Sequence, residues 1–312
     1  MLHAESPHPH ARAAKLALSF RADRAATELF GRLGTEGIEA ILLRGPAIAA
    51  RLYDDGERAY ADSDVLVHSA AKRALEDVLR DLGYATYIPL GEHWRRAADG
   101  AEIDLHVEIF GARAPNAELW ARMAAHGDTI ELAGSSIPAL DPAGTAAIVA
   151  LHAAHHGAAV PHTLEDLQRA LARFALPVWQ HAATLAGDID ALVAFRQGLS
   201  MLAAGAERLD ELGLHHAVSI RSSLRRRGIE LPYYLTEALT PRERAAILRH
   251  RLTPSRMEMA ATIDTRAAGS TLHLLAVHAR RAARLARRAL RLTTAGWRAY
   301  RDTAAFRRNA DG

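Results

Sequence analysis

The chain reads as an α+β protein, a small β-sheet flanked by helices and followed by an all-helical C-terminal part. Three observations predict it. The stretch Ile41 to Val67 has the pattern strand, tight turn, helix, loop, strand. Glu102 to Ile109 alternates polar and apolar residues, the period of a half-buried strand. From Asp141 onward the strand signal stops, and helical patterns follow one another between short breaks at Gly and Pro.

The elements follow in order from local chemistry. Residues 1–12 are polar, contain Pro7 and Pro9, and read as a disordered N-terminus. Ala13 to Leu33 sets Leu16, Phe20, Ala25, Leu29, Phe30 and Leu33 near helical spacing. Gly37 precedes a strand from Ile38 to Leu43. Pro46 suits the first turn of a helix that runs to about Tyr53, and Asp54-Asp55-Gly56 is a turn. A second strand covers Asp62 to Val67. Ala70 to Leu82 is a helix closed by Gly83, and Tyr84 to Ile88 is a short strand. Glu92 to Ala97 pairs with Glu102 to Ile109 as a hairpin about Asp99-Gly100. Asn116 caps a helix ending at Ala125. Thr129 to Leu132 and Ile137 to Leu140 are strands around Gly134-Ser135. Asp141-Pro142 is an N-cap with Pro at the first helical position. These elements divide the chain into an α/β domain over 13–140, a helical domain over 141–265 and a C-terminal helical segment over 266–312.

Composition bounds the chemistry. Of 312 residues, 49% are apolar, enough for a sizeable core, but only 5% are aromatic, so Ala, Leu and Val must build it. There is no cysteine, which excludes a disulfide framework, a Cys-based zinc site and a thiol nucleophile. That usage fits a reducing cytoplasm. The first residues carry no apolar stretch of the secretory kind, and no apolar run approaches the ~18 residues of a membrane span. Formal net charge is +3, carried almost wholly by Arg, and it is no nucleic-acid signature by itself.

The acidic residues carry the chemistry. Asp62 and Asp64, two apart on one strand, point to the same face. Two carboxylates that close repel unless a cation sits between them. A hard divalent ion takes such oxygen ligands together with substrate phosphates. Asp104, His106 and Glu108 share the polar face of the later strand, and Asp104 supplies a third carboxylate. Metals held this way can stabilise the attacking and leaving oxygens of a phosphoryl displacement. Gly45 allows backbone to approach phosphate at a helix start, or simply makes a strand-to-helix turn. Arg44 and Arg58 can clamp triphosphate oxygens, or lie on the surface. His106 is either a nucleotide or metal-supporting group, or a polar strand residue.

This set resembles the bacterial uncharacterised nucleotidyltransferase family, of the DNA-polymerase-β-like nucleotidyltransferase superfamily. The matching residues are Leu43-Arg44-Gly45, Tyr53, Arg58, Asp62-Ser63-Asp64-Val65-Leu66-Val67 and Asp104-Leu105-His106. They span roughly residues 25 to 175 with the intervals between and after them. Glu165 and Asp166, in Thr163-Leu164-Glu165-Asp166-Leu167, resemble a family position where an Asp follows a Leu, and are otherwise acids in a first helix turn. The resemblance implies a small mixed β-sheet, with Mg²⁺ or Mn²⁺ on Asp62, Asp64 and Asp104 and an NTP as co-substrate. Arg44, Gly45, Arg58 and His106 would contact the nucleotide. The chain departs from the family at Arg44, where Lys is usual, and at Ser63, where an apolar residue is usual. Arg keeps the charge but offers a planar fork in place of a point donor.

Two other groups stand out. His152 and His156, four apart, share a helix face. That spacing can bind zinc, but the intervening Glu of the metalloprotease motif is missing, and histidines lining a cleft are the better reading. In the C-terminal helix, at about 100° per residue, Arg280, Arg281, Arg284, Arg287, Arg288 and Arg291 fall in an arc of about 120°. Residues 270–308 thus offer a basic face to an anionic membrane or an acidic partner, or to solvent alone.

The function expected is transfer of a nucleoside monophosphate from an NTP to a hydroxyl or phosphate of a peptide, sugar or small-molecule acceptor, with release of pyrophosphate. The alternatives are phosphoryl transfer at the same metals and a non-catalytic scaffold using the basic helix. Nucleic acid is not the expected partner. The location expected is cytoplasmic, with peripheral membrane contact through the basic helix as the alternative.

Overall fold

The computed structural model describes residues 9–86 and 92–215. The chain divides into two compact units, and of the described residues 156–161 group with the second. The first unit holds every element of the site below. The basic segment 270–308 lies outside the described residues, as do residues 1–8.

Helix α1 spans Pro9–Glu36. It takes in residues 9–12, part of the stretch expected to be disordered. At its other end Gly37 turns to φ +66° and the Ile38 N–H bonds the Leu33 carbonyl at 2.9 Å. This is a six-to-one cap of the Schellman kind. It commits Ile38 to the helix end, so strand β1 is shorter than expected, Ala40–Leu42. Helix α2 (Pro46–Leu52) and strand β2 (Asp62–Val67) follow. A 3₁₀ turn at Ser69–Ala71 leads into α3, Lys72–Asp81. Strands β3 (Tyr84–Thr86), β4 (His93–Arg96) and β5 (Glu102–His106) come next.

Strand β5 stops at His106, so Glu108 is not on it and is exposed. The Asn116 side chain explains this, donating from Nδ2 to the Val107 carbonyl at 2.5 Å and accepting from the Ser69 N–H at 2.8 Å. That side chain takes the place of a strand partner at the Val107 carbonyl. The same bonds correct the expected role of Asn116. It ties the end of β5 to the start of α3's turn, and Pro115 is the N-cap of helix α4, Asn116–Ala125. Strands β6 (Gly127–Leu132) and β7 (Ser135–Leu140) form a hairpin. Asp141 Oδ1 then accepts from the Gly144 N–H at 2.6 Å, the expected cap of α5, Pro142–His156. Helices α6 (Pro161–Arg173), α7 (Leu176–Asp188), α8 (Leu192–Leu199) and α9 (Ala203–Glu211) complete the described residues.

The seven strands make one mixed sheet in the order β3-β4-β5-β2-β1-β7-β6. Strands β2 and β5 are parallel, as are β1 and β7, and the other pairs are antiparallel. Alternation sorts the side chains. Val65, Val67, Ile103 and Leu105 pack with Leu29, Leu33, Leu75 and Leu79 of α1 and α3. Ile41, Leu43 and Leu66 face the other way, into the cluster built by α2, α4, α5, α7 and α8. Asp62, Asp64, Asp104 and His106 share the parity of that second face. Ser63 has the opposite parity. It is fully buried, and its hydroxyl lies 3.5 Å from the Ala22 carbonyl of α1. A hydroxyl with an acceptor is tolerated where an apolar residue is usual.

Candidate active site

The parallel register sets Asp64 beside Asp104 and Leu66 beside His106. On the other side of β5, the antiparallel register sets His93 of β4 opposite Asp104. Four titratable side chains therefore meet on one face of three adjacent strands, and Asp62 stands one pleat before Asp64. Arg44, just after β1, reaches across. Its Nη2 donates to Asp64 Oδ1, the same oxygen to which His106 Nε2 donates at 2.8 Å. His93 Nδ1 donates to Asp104 Oδ1 at 2.6 Å. A carboxylate offers only acceptors, so both imidazoles carry their proton on the bonded nitrogen.

Charge at this face is uneven. Burial would raise the Asp64 carboxyl, but Arg44 and His106 hold it well below the usual carboxylate range. For Asp62 burial, with the charges of Asp64 and Asp104 adding to it, outweighs the pull of Arg44 and pushes the carboxyl up to about 6. The Asp104 bond raises the His93 imidazole. Three carboxylates thus share this face with one guanidinium and two imidazoles. Among the described residues, Asp64, Asp104 and His106 can each offer one ligand atom, all within 4.8 Å of one another. Asp62 flanks that group and is not part of it. This donor set fits a divalent cation.

Gly45 sits against this cluster. Its backbone is at φ +64°, ψ −114°, a conformation open in practice only to glycine. A Cβ built there would lie 2.3 Å from the Asp62 carbonyl oxygen. The turn is glycine because β1's exit passes directly over the start of β2. The Leu43 N–H bonds the Asp64 carbonyl at 2.8 Å and carries the β1–β2 pairing up to that turn.

Arg58 is placed differently from a free phosphate clamp. It makes a two-pronged ion pair with Asp166 of α6, Nε to Oδ1 at 2.8 Å and Nη2 to Oδ2 at 2.8 Å. Its Nη1 donates to the Gly45 carbonyl at 3.3 Å. The Tyr53 hydroxyl donates to Asp166 Oδ1 at 2.6 Å, and Asp166 is only 1% exposed. Burial would pull the Arg58 guanidinium down, and the Asp166 bonds more than offset it. Burial and the Asp166 bond both push the Tyr53 phenol far up. So Tyr53 and Arg58, close in sequence, join the distant Asp166 in one buried unit that grips the Gly45 turn.

Residues 10–207, well over half of the chain, match the family model described as uncharacterised nucleotidyltransferase. The chain belongs to that family. No curated protein matches it. Among solved structures, this nucleotidyltransferase-family chain is similar to an antigenic nucleotidyltransferase-like protein from Paracoccidioides brasiliensis. The two are 15% identical at a TM-score of 0.39, over 59% of this chain and 92% of that one. The antibiotic-resistance factor ANT(2'')-Ia is also 15% identical at a TM-score of 0.39, over 58% and 96% of the respective chains. The lincosamide antibiotic adenylyltransferase LnuA, in its lincomycin-bound form, is 12% identical at 0.33, over 46% and 92%. Likenesses this loose assign no substrate to the chain.

Sequence patterning missed His93, the partner of Asp104. Counting outward from a two-residue turn at Asp99-Gly100 would pair His93 with His106; the loop is four residues, 97–100, and that shifts His93 onto Asp104. The helix-face histidines do not form a metal group among the described residues: the rings of His152 and His162 are 6.2 Å apart, and Phe110 stacks on His155 at 4.3 Å. No helix of the described residues is long and apolar enough to cross a membrane.

Proposed function

We propose that this protein is a metal-dependent nucleotidyltransferase. It binds an NTP with Mg²⁺ or Mn²⁺ and transfers the nucleoside monophosphate to a hydroxyl or phosphate of a peptide, sugar or small-molecule acceptor. The observation that carries this reading is the gathering of Asp62, Asp64 and Asp104 beside the Gly45 turn in a chain of this family. These carboxylates would hold the cation, which supplies charge neutralisation to the triphosphate.

The chain's own groups do the rest. Arg44 moves from Asp64 to the triphosphate once another positive charge serves that carboxylate. Asp104 takes the proton of an acceptor hydroxyl, with His93 fixing its orientation. The acceptor oxygen bonds to the α-phosphorus, the bond from that phosphorus to the bridging oxygen breaks, and pyrophosphate leaves. Tyr53, Arg58 and Asp166 keep the Gly45 backbone in place against Asp62. Positioning and charge neutralisation account for the catalysis.

The test is calorimetric titration of an NTP panel with Mg²⁺ or Mn²⁺, comparing the wild type with the Asp62→Ala/Asp64→Ala double variant. The expected result is tight binding of an NTP that requires both the metal and the two carboxylates. Folded wild-type protein that binds no NTP with either metal contradicts the reading.

A further inference from the structure

We infer that His106 is itself a nitrogen ligand of the cation and turns this site's preference toward Mn²⁺ and away from Mg²⁺. The inference rests on the metal-dependent reading above and adds to it the class of metal. Its basis is placement. The β2–β5 register sets His106 on the carboxylate face, one pleat beyond Asp104. Its Nε2 lies 2.8 Å from Asp64 Oδ1, and it completes the one group of ligand atoms drawn within 4.8 Å among the described residues. Asp62, the carboxylate expected from the sequence to share the metal with Asp64, stands outside that group. The second imidazole, His93, is bonded to Asp104 and acts through it.

The chemistry of that donor set decides the metal. Mg²⁺ demands near-octahedral oxygen ligation and keeps several waters, and an imidazole gives it little. First-row transition ions accept imidazole readily, and Mn²⁺ also suits carboxylates. Competition at Asp64 points the same way. Arg44 and His106 both donate to Asp64 Oδ1, so a cation entering there must displace a donor. Arg44 can only leave. His106 can stay, because an imidazole with its proton on Nδ1 presents the Nε2 lone pair to the cation.

The experiment uses the full chain and the metals alone, without nucleotide. Mn²⁺ and Mg²⁺ affinities are measured by calorimetry for the wild type, His106→Asn and His93→Asn. The Asn oxygen is a hard ligand that serves Mg²⁺ and not the softer preference. The His106 variant is expected to lose about tenfold or more in Mn²⁺ affinity, the scale on which even outer partners of a ligand act, with a much smaller loss for Mg²⁺. The ratio of the two affinities therefore falls in that variant and holds in His93→Asn. Pulsed electron paramagnetic resonance of Mn²⁺ on the wild type reads the ligand directly, and imidazole nitrogen coupling is expected, which keeps the test independent of how any variant folds. An unchanged affinity ratio in folded His106→Asn, or bound Mn²⁺ with no nitrogen coupling, overturns the inference and leaves the carboxylate site standing. Failure of both metals to bind the wild type overturns the metal-dependent reading as well.

Discussion

Replacing Gly45 by Ala tests whether the turn over β2 is set by steric need. The added Cβ would lie 2.3 Å from the Asp62 carbonyl oxygen, and that neighbour is backbone, which cannot rotate away. The conformation at φ +64°, ψ −114° adds strain for any residue with a Cβ. A residue held in such a region costs of order 1–3 kcal/mol, and overpacking a filled site adds a further ~1–3 kcal/mol. The variant should therefore lose about 2–6 kcal/mol, a large share of a typical domain's ~5–15 kcal/mol. The effect should also be local. Relief requires the start of β2 to move, and that moves Asp62 relative to Asp104. Chemical denaturation reads the first effect and Mn²⁺ titration of the folded fraction reads the second. Gly34→Ala is the control: a Cβ at Gly34 in α1 meets nothing within 4 Å, so it should be neutral or stabilise by up to ~1 kcal/mol. Wild-type stability together with wild-type metal affinity in Gly45→Ala would refute the steric reading of the turn.

Asp62→Asn should stabilise the metal-free protein at neutral pH while weakening its metal binding. Its carboxyl rises from the ordinary 3.8 to about 6 on folding, so the fold holds that proton more tightly than the unfolded chain does. This group's own contribution is thus fully present below about pH 4 and is lost as pH climbs to about 6, by roughly 3 kcal/mol from about 1.4 kcal/mol per unit. The wild type should show that decline in urea melts without metal, and Asp62→Asn should not. Asp166→Ala strips Arg58 of its buried partner and should cost about 3–5 kcal/mol. Tyr53→Phe removes one bond to the same carboxylate and should cost only about 1–3 kcal/mol, so their order in denaturation checks which contact holds the unit together. Ser63→Ala, whose hydroxyl has only a 3.5 Å contact with Ala22, should change stability by less than about 1 kcal/mol.

The parts of this site legible in the sequence were those set by short-range periodicity. Alternation along β2 and β5 put Asp62, Asp64, Asp104 and His106 on polar faces, and the structure brings those faces together through one parallel register. Glycine and proline punctuation found Gly45, α2 and the Asp141 cap. Contacts across long separations were not legible. Arg58 reads as a surface cation or phosphate clamp until α6 delivers Asp166, 108 residues away, to its guanidinium. Asn116 reads as a helix cap because its chain neighbours favour that role, yet its side chain is captured by Val107 and Ser69. His93 depended on a hairpin register that periodicity alone does not count. The end of α1 and the start of β1 moved because terminal hydrogen bonds, not hydrophobic spacing, decide where an element ends.

The most direct test of the central claim is anomalous diffraction near the manganese edge, from crystals grown with Mn²⁺ and a non-hydrolysable NTP. The account predicts an anomalous peak against the carboxylates of Asp64 and Asp104, with the triphosphate beside Arg44. An ordered NTP and manganese bound elsewhere on the protein, with this carboxylate face left to Arg44 alone, would contradict it.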